Sequence, residues 1–220
     1  MMRDAKAIPI IGPIDPTGTP WTLPYRGTVG MVCLIVAESA IFIIFVVAYI
    51  FYIGKSLSGP TPAQVLELPI FGTVCLLSSS ITLHFAVAAL RKGRSSACTA
   101  WLAGTVLLGS IFLASTAREW YHLIHDCGLT LQTNLFGTTY YSLVGLHATH
   151  VVVGLIMLSL ALGFSFFGLV HEEHAERLEV LSLYWHFVDI VWIFLSIEHG
   201  DQRKEILMVS RIQIGHISAI

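Results

Sequence analysis

Five long apolar runs constrain the fold of this chain more than any other feature of its sequence. They cover residues 28–53, 69–90, 98–119, 137–167 and 179–199. A helix of about 20 residues is long enough to cross the hydrocarbon core of a bilayer. Lipid cannot solvate the backbone, so only helices and closed barrels cross it. The runs therefore predict an all-α polytopic membrane protein, a bundle of five transmembrane helices.

The composition also favours a membrane location. Hydrophobic residues make up 55% of the 220 residues, charged residues only 12%, and the mean hydropathy is +0.76. A soluble domain has about a quarter of its residues charged. The net charge of -2 gives no basic surface for nucleic acid. The four cysteines are scattered singly, without the spacing of a zinc site or a disulfide framework.

Two segments flank the predicted membrane domain, which covers residues 27–200. Residues 1–26 contain five prolines, which exclude a regular helix and predict an extended arm. Residues 201–220 mix apolar and charged residues without a clear period, so we expect an extramembrane tail whose fold the sequence does not predict. An additional partner outside the membrane is expected at this tail.

The distribution of lysine and arginine predicts the orientation of the bundle. Most cations near the ends of the spans fall on the N-terminal side, namely Arg3, Lys6, Arg26, Arg91, Lys92, Arg94 and Arg177. In the loops and termini, only Lys55 and the tail cations lie on the other side. By the positive-inside rule, we expect the N-terminus inside and the C-terminus outside.

Few ionisable residues interrupt the predicted spans, and each costs at least ~2.5 kcal/mol at the centre of a membrane helix on insertion scales. They are Glu38, His84, His147, His150, His186 and Asp189. At about 1.5 Å of rise per residue, Glu38 and Asp189 lie at a similar depth, near the middle of the membrane. The same count places His84 level with His186. These residues are therefore candidates for a functional or structural role.

Three interpretations of these residues are open. The histidines could ligate haem or a metal, since neutral imidazole is a common ligand, although His147 and His150 on one helix suit a bis-histidine haem poorly. Glu38 and Asp189 could exchange protons in a self-standing, proton-coupled transporter. Alternatively, the histidines and carboxylates could pair with one another as buried polar links that fix the register of the helices.

The depth count suggests particular partners for such links. Asp189 is level with Glu38 and with the pair of His147 and His150, while His186 is level with His84. Outside this set, Arg118 and Glu119 stand at the outer end of the third span. An interfacial ion pair accounts for these two residues.

Several segments resemble one known family, subunit III of the haem-copper oxidases. The segment LYWHFVDIVWIFL is similar to the family signature W-Y-W-H-F-V-D-x-V-W-L-F-L, and FGTTYYSLVGLHATHVVVG is similar to Y-G-S-x-F-F-x-x-T-G-F-H-G-x-H-V-x-x-G. Upstream, AESAIFIIF, LLSSSITLHFAVAAL and LGSIFLASTAREWYHL resemble further family elements in the same order. The likeness runs from about residue 25 to residue 200. The chain resembles the five-helix form of the family.

The resemblance implies a subunit that holds no haem or copper itself. Haem and copper are expected in the catalytic subunit I beside it, with subunit II in the same complex and phospholipid bound to the chain. Glu38 matches the family's membrane-embedded carboxylate, which supports proton uptake. A bacterial plasma membrane is the expected location. Five-helix relatives also accompany nitric oxide reductases, which gives an alternative partner.

The chain also departs from the family pattern. Thr116 stands where the family has glutamine, and His84 lies one residue before the family histidine. The arginine that closes the fourth helix in many members, and helps to hold lipid head groups, is missing from the matching stretch ALGFSFFG. Lipid binding through that arginine is therefore not expected here.

Overall fold

Within the residues that the computed structural model describes, the regular structure is entirely helical. The structure describes the backbone of residues 25–52, 70–125 and 135–217, and the side chains of residues 25–52, 70–125 and 138–197. The helices are α1 Arg26–Tyr52, α2 Ile70–Arg91, α3 Ser95–His125, α4 Leu135–Phe166 and α5 Ala175–Ile217, with a 3₁₀ turn at Glu172–His174 before α5. Each of the five contains a stretch long and apolar enough to cross a membrane. The predicted all-α bundle of five transmembrane helices is confirmed.

Two glycines end helices by adopting the left-handed conformation. Gly93 has a φ of 69° after α2, and Gly168 has a φ of 70° after α4. The amide of Arg94 donates to the carbonyl of Ala89 at 3.0 Å, and the amide of Leu169 donates to that of Phe164 at 3.0 Å. Both are Schellman ends, in which glycine avoids the steric cost of a Cβ at positive φ. The Schellman end at Gly93 produces the tight turn between α2 and α3.

The helices pack around α5, whose transmembrane part contacts α1, α2 and α4. α2 lies along α3 as well as α5, and α4 lies between α1 and α3. α1 is the most peripheral helix, because only Phe42 and Tyr49 are buried on it. The polar residues of the spans are therefore positioned mainly by the interfaces of α5 with α2 and of α4 with α1.

The last helix is longer than the fifth apolar run. α5 begins at Ala175 and continues without a break to Ile217. The membrane-length part of this region is Glu172–Ile197. No helix end coincides with the predicted domain boundary at residue 200. The tail, whose fold could not be predicted, is therefore a helical continuation of α5 up to Ile217.

Candidate functional site

A cluster of three polar side chains joins α2 to α5 near the middle of the bundle. The Ser80 hydroxyl donates a hydrogen bond to Oδ2 of Asp189, and its oxygen lies 2.9 Å from Nδ1 of His186. Nδ1 of His186 is 3.8 Å from the same carboxylate oxygen. Because the serine has only one proton and gives it to Asp189, Ser80 accepts a hydrogen bond from Nδ1–H of His186. We call this the Ser80 cluster.

Two tryptophans of α5, one on each side of the Ser80 cluster, form further hydrogen bonds to α2. Nε1 of Trp185 donates to the Ser79 hydroxyl at 2.9 Å, and Nε1 of Trp192 donates to the Thr73 hydroxyl at 3.0 Å. Buried indole N–H groups need such partners. With the Ser80 cluster between them, these bonds fix the antiparallel register of α2 against α5.

Glycines make the room that Trp185 needs. This side chain is fully buried. A Cβ on Gly154 of α4 would lie 2.8 Å from its ring, and a Cβ on Gly109 of α3 would lie 3.1 Å from it. Separations that short do not occur without a shift of the neighbours. Trp185 therefore packs directly against the backbones of α3 and α4.

A second polar pair joins α1 to α4. Nε2 of His150 lies 3.3 Å from Oε2 of Glu38, and Nδ1 of His150 lies 2.8 Å from the carbonyl oxygen of Leu146. The side chains of His150 and Glu38 are 13% and 25% exposed. Tyr184 of α5 donates a hydrogen bond to the carbonyl of His150 at 3.2 Å. We call this the Glu38–His150 pair.

The geometry of the Glu38–His150 pair restricts its protonation states. A carbonyl oxygen only accepts, so Nδ1 of His150 must carry a hydrogen. A hydrogen bond between Nε2 and the Glu38 carboxyl then requires one further proton between them. The pair is either a neutral acid beside a neutral imidazole or a carboxylate beside an imidazolium. It can hold and exchange one proton within the membrane.

The side chains of His147 and His150 point to different helices, although the two residues are only three positions apart in the sequence. His147 is almost fully buried between two aromatic rings, 5.1 Å from the ring centroid of Trp192 and 6.1 Å from that of Phe112. Neither ring nitrogen has a hydrogen-bond partner among the described residues. His147 thus faces α3 and α5, while His150 faces α1.

Two expectations about polar links need correction. The partners of Asp189 among the described residues are Ser80 and His186, not Glu38 or the histidines of α4. The expectation of a buried link at His84 is wrong for this chain, because His84 lies on the exposed face of α2. Equal depth does not imply contact, since two residues at one level can point in different directions around their helices.

At the far end of α3, Arg118 is exposed and Glu119 is half-buried. Glu119 lines a cavity of about 10 Å³ together with Trp120, Tyr140 and Ser196. The interfacial ion pair of Arg118 with Glu119 stays a prediction.

The Ser80 cluster includes a residue that sequence reasoning missed. Hydroxyl groups on α2, those of Thr73, Ser79 and Ser80, are the α2 partners of His186, Asp189 and the two tryptophans of α5. The run of three serines at residues 78–80 is the one available signal, because it stands near the middle of an apolar span. No group of three or more His, Cys, Asp or Glu side chains placed to hold a metal ion occurs among the described residues.

Fold and site together define an integral membrane protein whose buried polar side chains join neighbouring helices. The family model described as cytochrome c oxidase subunit III matches residues 25–199. This match covers more than half of the chain. The chain belongs to the cytochrome c oxidase subunit III family.

Individual relatives agree with the family match. Cytochrome c oxidase subunit 3 of Synechocystis is 39% identical over 176 residues, which cover 76% of this chain and 72% of the relative. The subunit of the same name from Alkalihalophilus pseudofirmus is 35% identical, covering 72% and 78% of the two chains. Cytochrome bo(3) ubiquinol oxidase subunit 3 of Pseudomonas aeruginosa is 31% identical, covering 72% and 77%. Similar relatives thus come from both cytochrome c and quinol oxidases.

Proposed function

We propose that this chain, as subunit III of a haem-copper terminal oxidase, holds no haem or copper and supports the oxygen-reducing subunit I beside it. In this proposal subunit II belongs to the same complex. The complex lies in a bacterial plasma membrane, with the N-terminus of this chain inside. The chain contributes in two ways, through proton uptake at the Glu38–His150 pair and through retention of phospholipid.

The observation that carries the proposal is the one-proton geometry of the Glu38–His150 pair. Nε2 of the His150 imidazole lies 3.3 Å from the Glu38 carboxyl group, within an α1–α4 interface of transmembrane helices, so a hydrogen bond between them would hold one proton. Both side chains are mostly but not completely buried. A group in such a position can take up a proton and return it while the helices stay in place. This agrees with the role that the family resemblance implies for Glu38.

A groove on the bundle supports the retention of phospholipid. It has a volume of about 460 Å³ and is lined by apolar residues of α3, α4 and α5 such as Leu102, Met157 and Phe164. Arg177 and His174 lie at one end of the same groove. An acyl chain suits the apolar part, and a lipid phosphate suits a cation at the end. Arg177 would replace the family arginine that this chain lacks.

The proton-uptake role is tested by Glu38→Gln in the assembled oxidase. Glutamine keeps the size of the side chain but cannot hold an exchangeable acidic proton. We expect slower oxygen consumption at high pH than in the wild type, or a shorter working life during turnover. Ser110→Ala is the control, because the Ser110 hydroxyl is exposed and its one bond among the described residues is to the Val106 carbonyl of its own helix. An unchanged rate and lifetime at every pH would leave Glu38 a packing residue.

The lipid role is tested by Arg177→Gln. We expect the purified complex to retain fewer phospholipid molecules by native mass spectrometry, because the cation at the end of the groove is lost. Lys92→Gln, an exposed residue in the turn after α2, is the matched control. Equal lipid retention by the Arg177 variant and the wild type would contradict this role.

A further inference from the structure

The ionisable side chain of His186 is exposed at mid-membrane depth. The side chain of His186 is 41% exposed. It lies 14 residues from one end and 11 from the other end of the span Glu172–Ile197, or about 21 Å and about 16 Å. Intramembrane ionisable residues almost always face protein or a water-filled cavity. Hydrocarbon is therefore an unsuitable neighbour for this face of α5.

The Ser80 cluster determines what His186 offers to a neighbour. When the ring is neutral, Nδ1 carries the hydrogen that Ser80 accepts, and Nε2 then has a free lone pair. No polar contact of Nε2 is found among the described residues, and the ring is only partly covered. The exposed edge of the neutral His186 ring is a hydrogen-bond acceptor, and lipid acyl chains contain no donor.

Apolar surface on both sides extends this exposed edge. Ile190, one turn further along α5, is 65% exposed, and Ile81 on α2 is 59% exposed. His84 is exposed on the same helix. Towards α1, a groove of about 450 Å³ is lined by apolar residues of α1 and α5, including Phe42 and Ile190. We call this surface the His186 face.

We propose that the His186 face receives a transmembrane helix of the haem-carrying partner subunit, and that a side chain of this helix donates a hydrogen bond to Nε2 of His186. The inference rests on the proposed function, which supplies the partner. The occupant is a protein helix because it can combine an apolar surface for the groove with one hydrogen-bond donor at the depth of His186. A hydroxyl, an amide or an indole N–H group would serve as the donor.

A photo-crosslinking experiment in the assembled oxidase tests the position of this interface. A benzophenone amino acid is placed at Ile190, and in a control chain at Leu107, which is 62% exposed on α3 outside the His186 face. We expect irradiation to crosslink the chain to the haem-carrying subunit when the probe is at Ile190, but not when it is at Leu107. Adducts of Ile190 with lipid alone, or with a second copy of this chain, would overturn the proposal. Absence of a haem-carrying subunit from the wild-type preparation would instead contradict the proposed function.

The hydrogen bond is tested by His186→Asn. The asparagine amide can replace Nδ1 towards Ser80 but does not reach the position of Nε2. We expect this variant to lose the partner subunit at a lower detergent concentration than the wild type. His125→Asn, an exposed histidine at the end of α3, is the control. Equal retention of the partner subunit by both variants would overturn the proposed hydrogen bond from the partner to Nε2 of His186.

Discussion

At the scale of single residues, several polar side chains in the spans form bonds that join different helices. The Ser80 hydroxyl donates to Asp189 and accepts from His186, so one small side chain links two ionisable residues of α5. His150 contacts its own helix through Nδ1 and Glu38 of α1 through Nε2. A buried polar group costs free energy unless it is paired, and these pairings reduce that cost.

If Glu38 and His150 exchange a proton as a unit, removing either one removes the same function. We expect His150→Phe to slow oxygen consumption at high pH as Glu38→Gln does, because neither single variant retains the shared proton. The double variant should be no slower than the slower single variant. Rate losses that add up in the double variant would show that the two residues act separately.

The tight packing of Trp185 against Gly154 predicts a steric effect of a larger residue there, and Gly163 provides a control position. A Cβ at Gly154 would meet the Trp185 ring at 2.8 Å, whereas a Cβ at Gly163 of the same helix meets nothing within 4 Å. We expect Gly154→Ala to destabilise the chain by about 1–3 kcal/mol, the usual cost of overpacking. Gly163→Ala should leave thermal unfolding in detergent unchanged or slightly raise its midpoint. Similar midpoints for the two variants would contradict the tight packing of α4 against Trp185.

At the scale of elements, α5 organises the bundle because one of its faces bonds to α2 along most of the membrane. Arg91 and Glu179 form an ion pair at one end of this interface, the Ser80 cluster lies in the middle, and Trp192 reaches Thr73 towards the other end. The exposed ion pair adds little to stability. The register therefore depends mainly on the buried contacts.

The central contact of this interface is tested by Ser80→Ala. Interhelical hydrogen bonds in membrane proteins contribute about 0.6 kcal/mol each on average and rarely more than ~1.7 kcal/mol. Because this change removes two of them and leaves Asp189 with fewer partners, we expect a loss of about 1–2 kcal/mol in unfolding experiments in mixed micelles. The control is again Ser110→Ala, whose hydroxyl bonds within its own helix. Equal stability of the two variants would show that the Ser80 cluster does not hold α2 against α5.

The five helices were predictable from sequence, while their polar contacts were only partly so. Apolar length fixes where a span lies, and the paired use of histidine and carboxylate could be anticipated from the cost of burying them. Depth counting could not give the direction of each side chain around its helix, which is why the placement of His84 was wrong. The serine run that contains Ser80 is only a weak signal, because other serines in the spans, such as Ser39, simply bond to their own helix.

At the scale of the whole molecule, the chain is an integral membrane protein of the oxidase subunit III family. Its polar contacts lie at the interfaces between helices, and its exposed surface includes many large apolar side chains. Such a bundle suits a supporting subunit that lies in lipid beside a catalytic one. The proposed role of the chain therefore depends on its assembly with that catalytic subunit.

Purification of the tagged chain from its native membrane in a mild detergent tests this claim most directly. Mass spectrometry of the preparation identifies its subunits, and an absorption spectrum shows whether haem is present. We predict that a haem-copper catalytic subunit copurifies with the chain, and that the haem absorption follows that subunit when the two are separated. Recovery of the chain as a stable, lone oligomer without any haem-carrying companion would contradict the account.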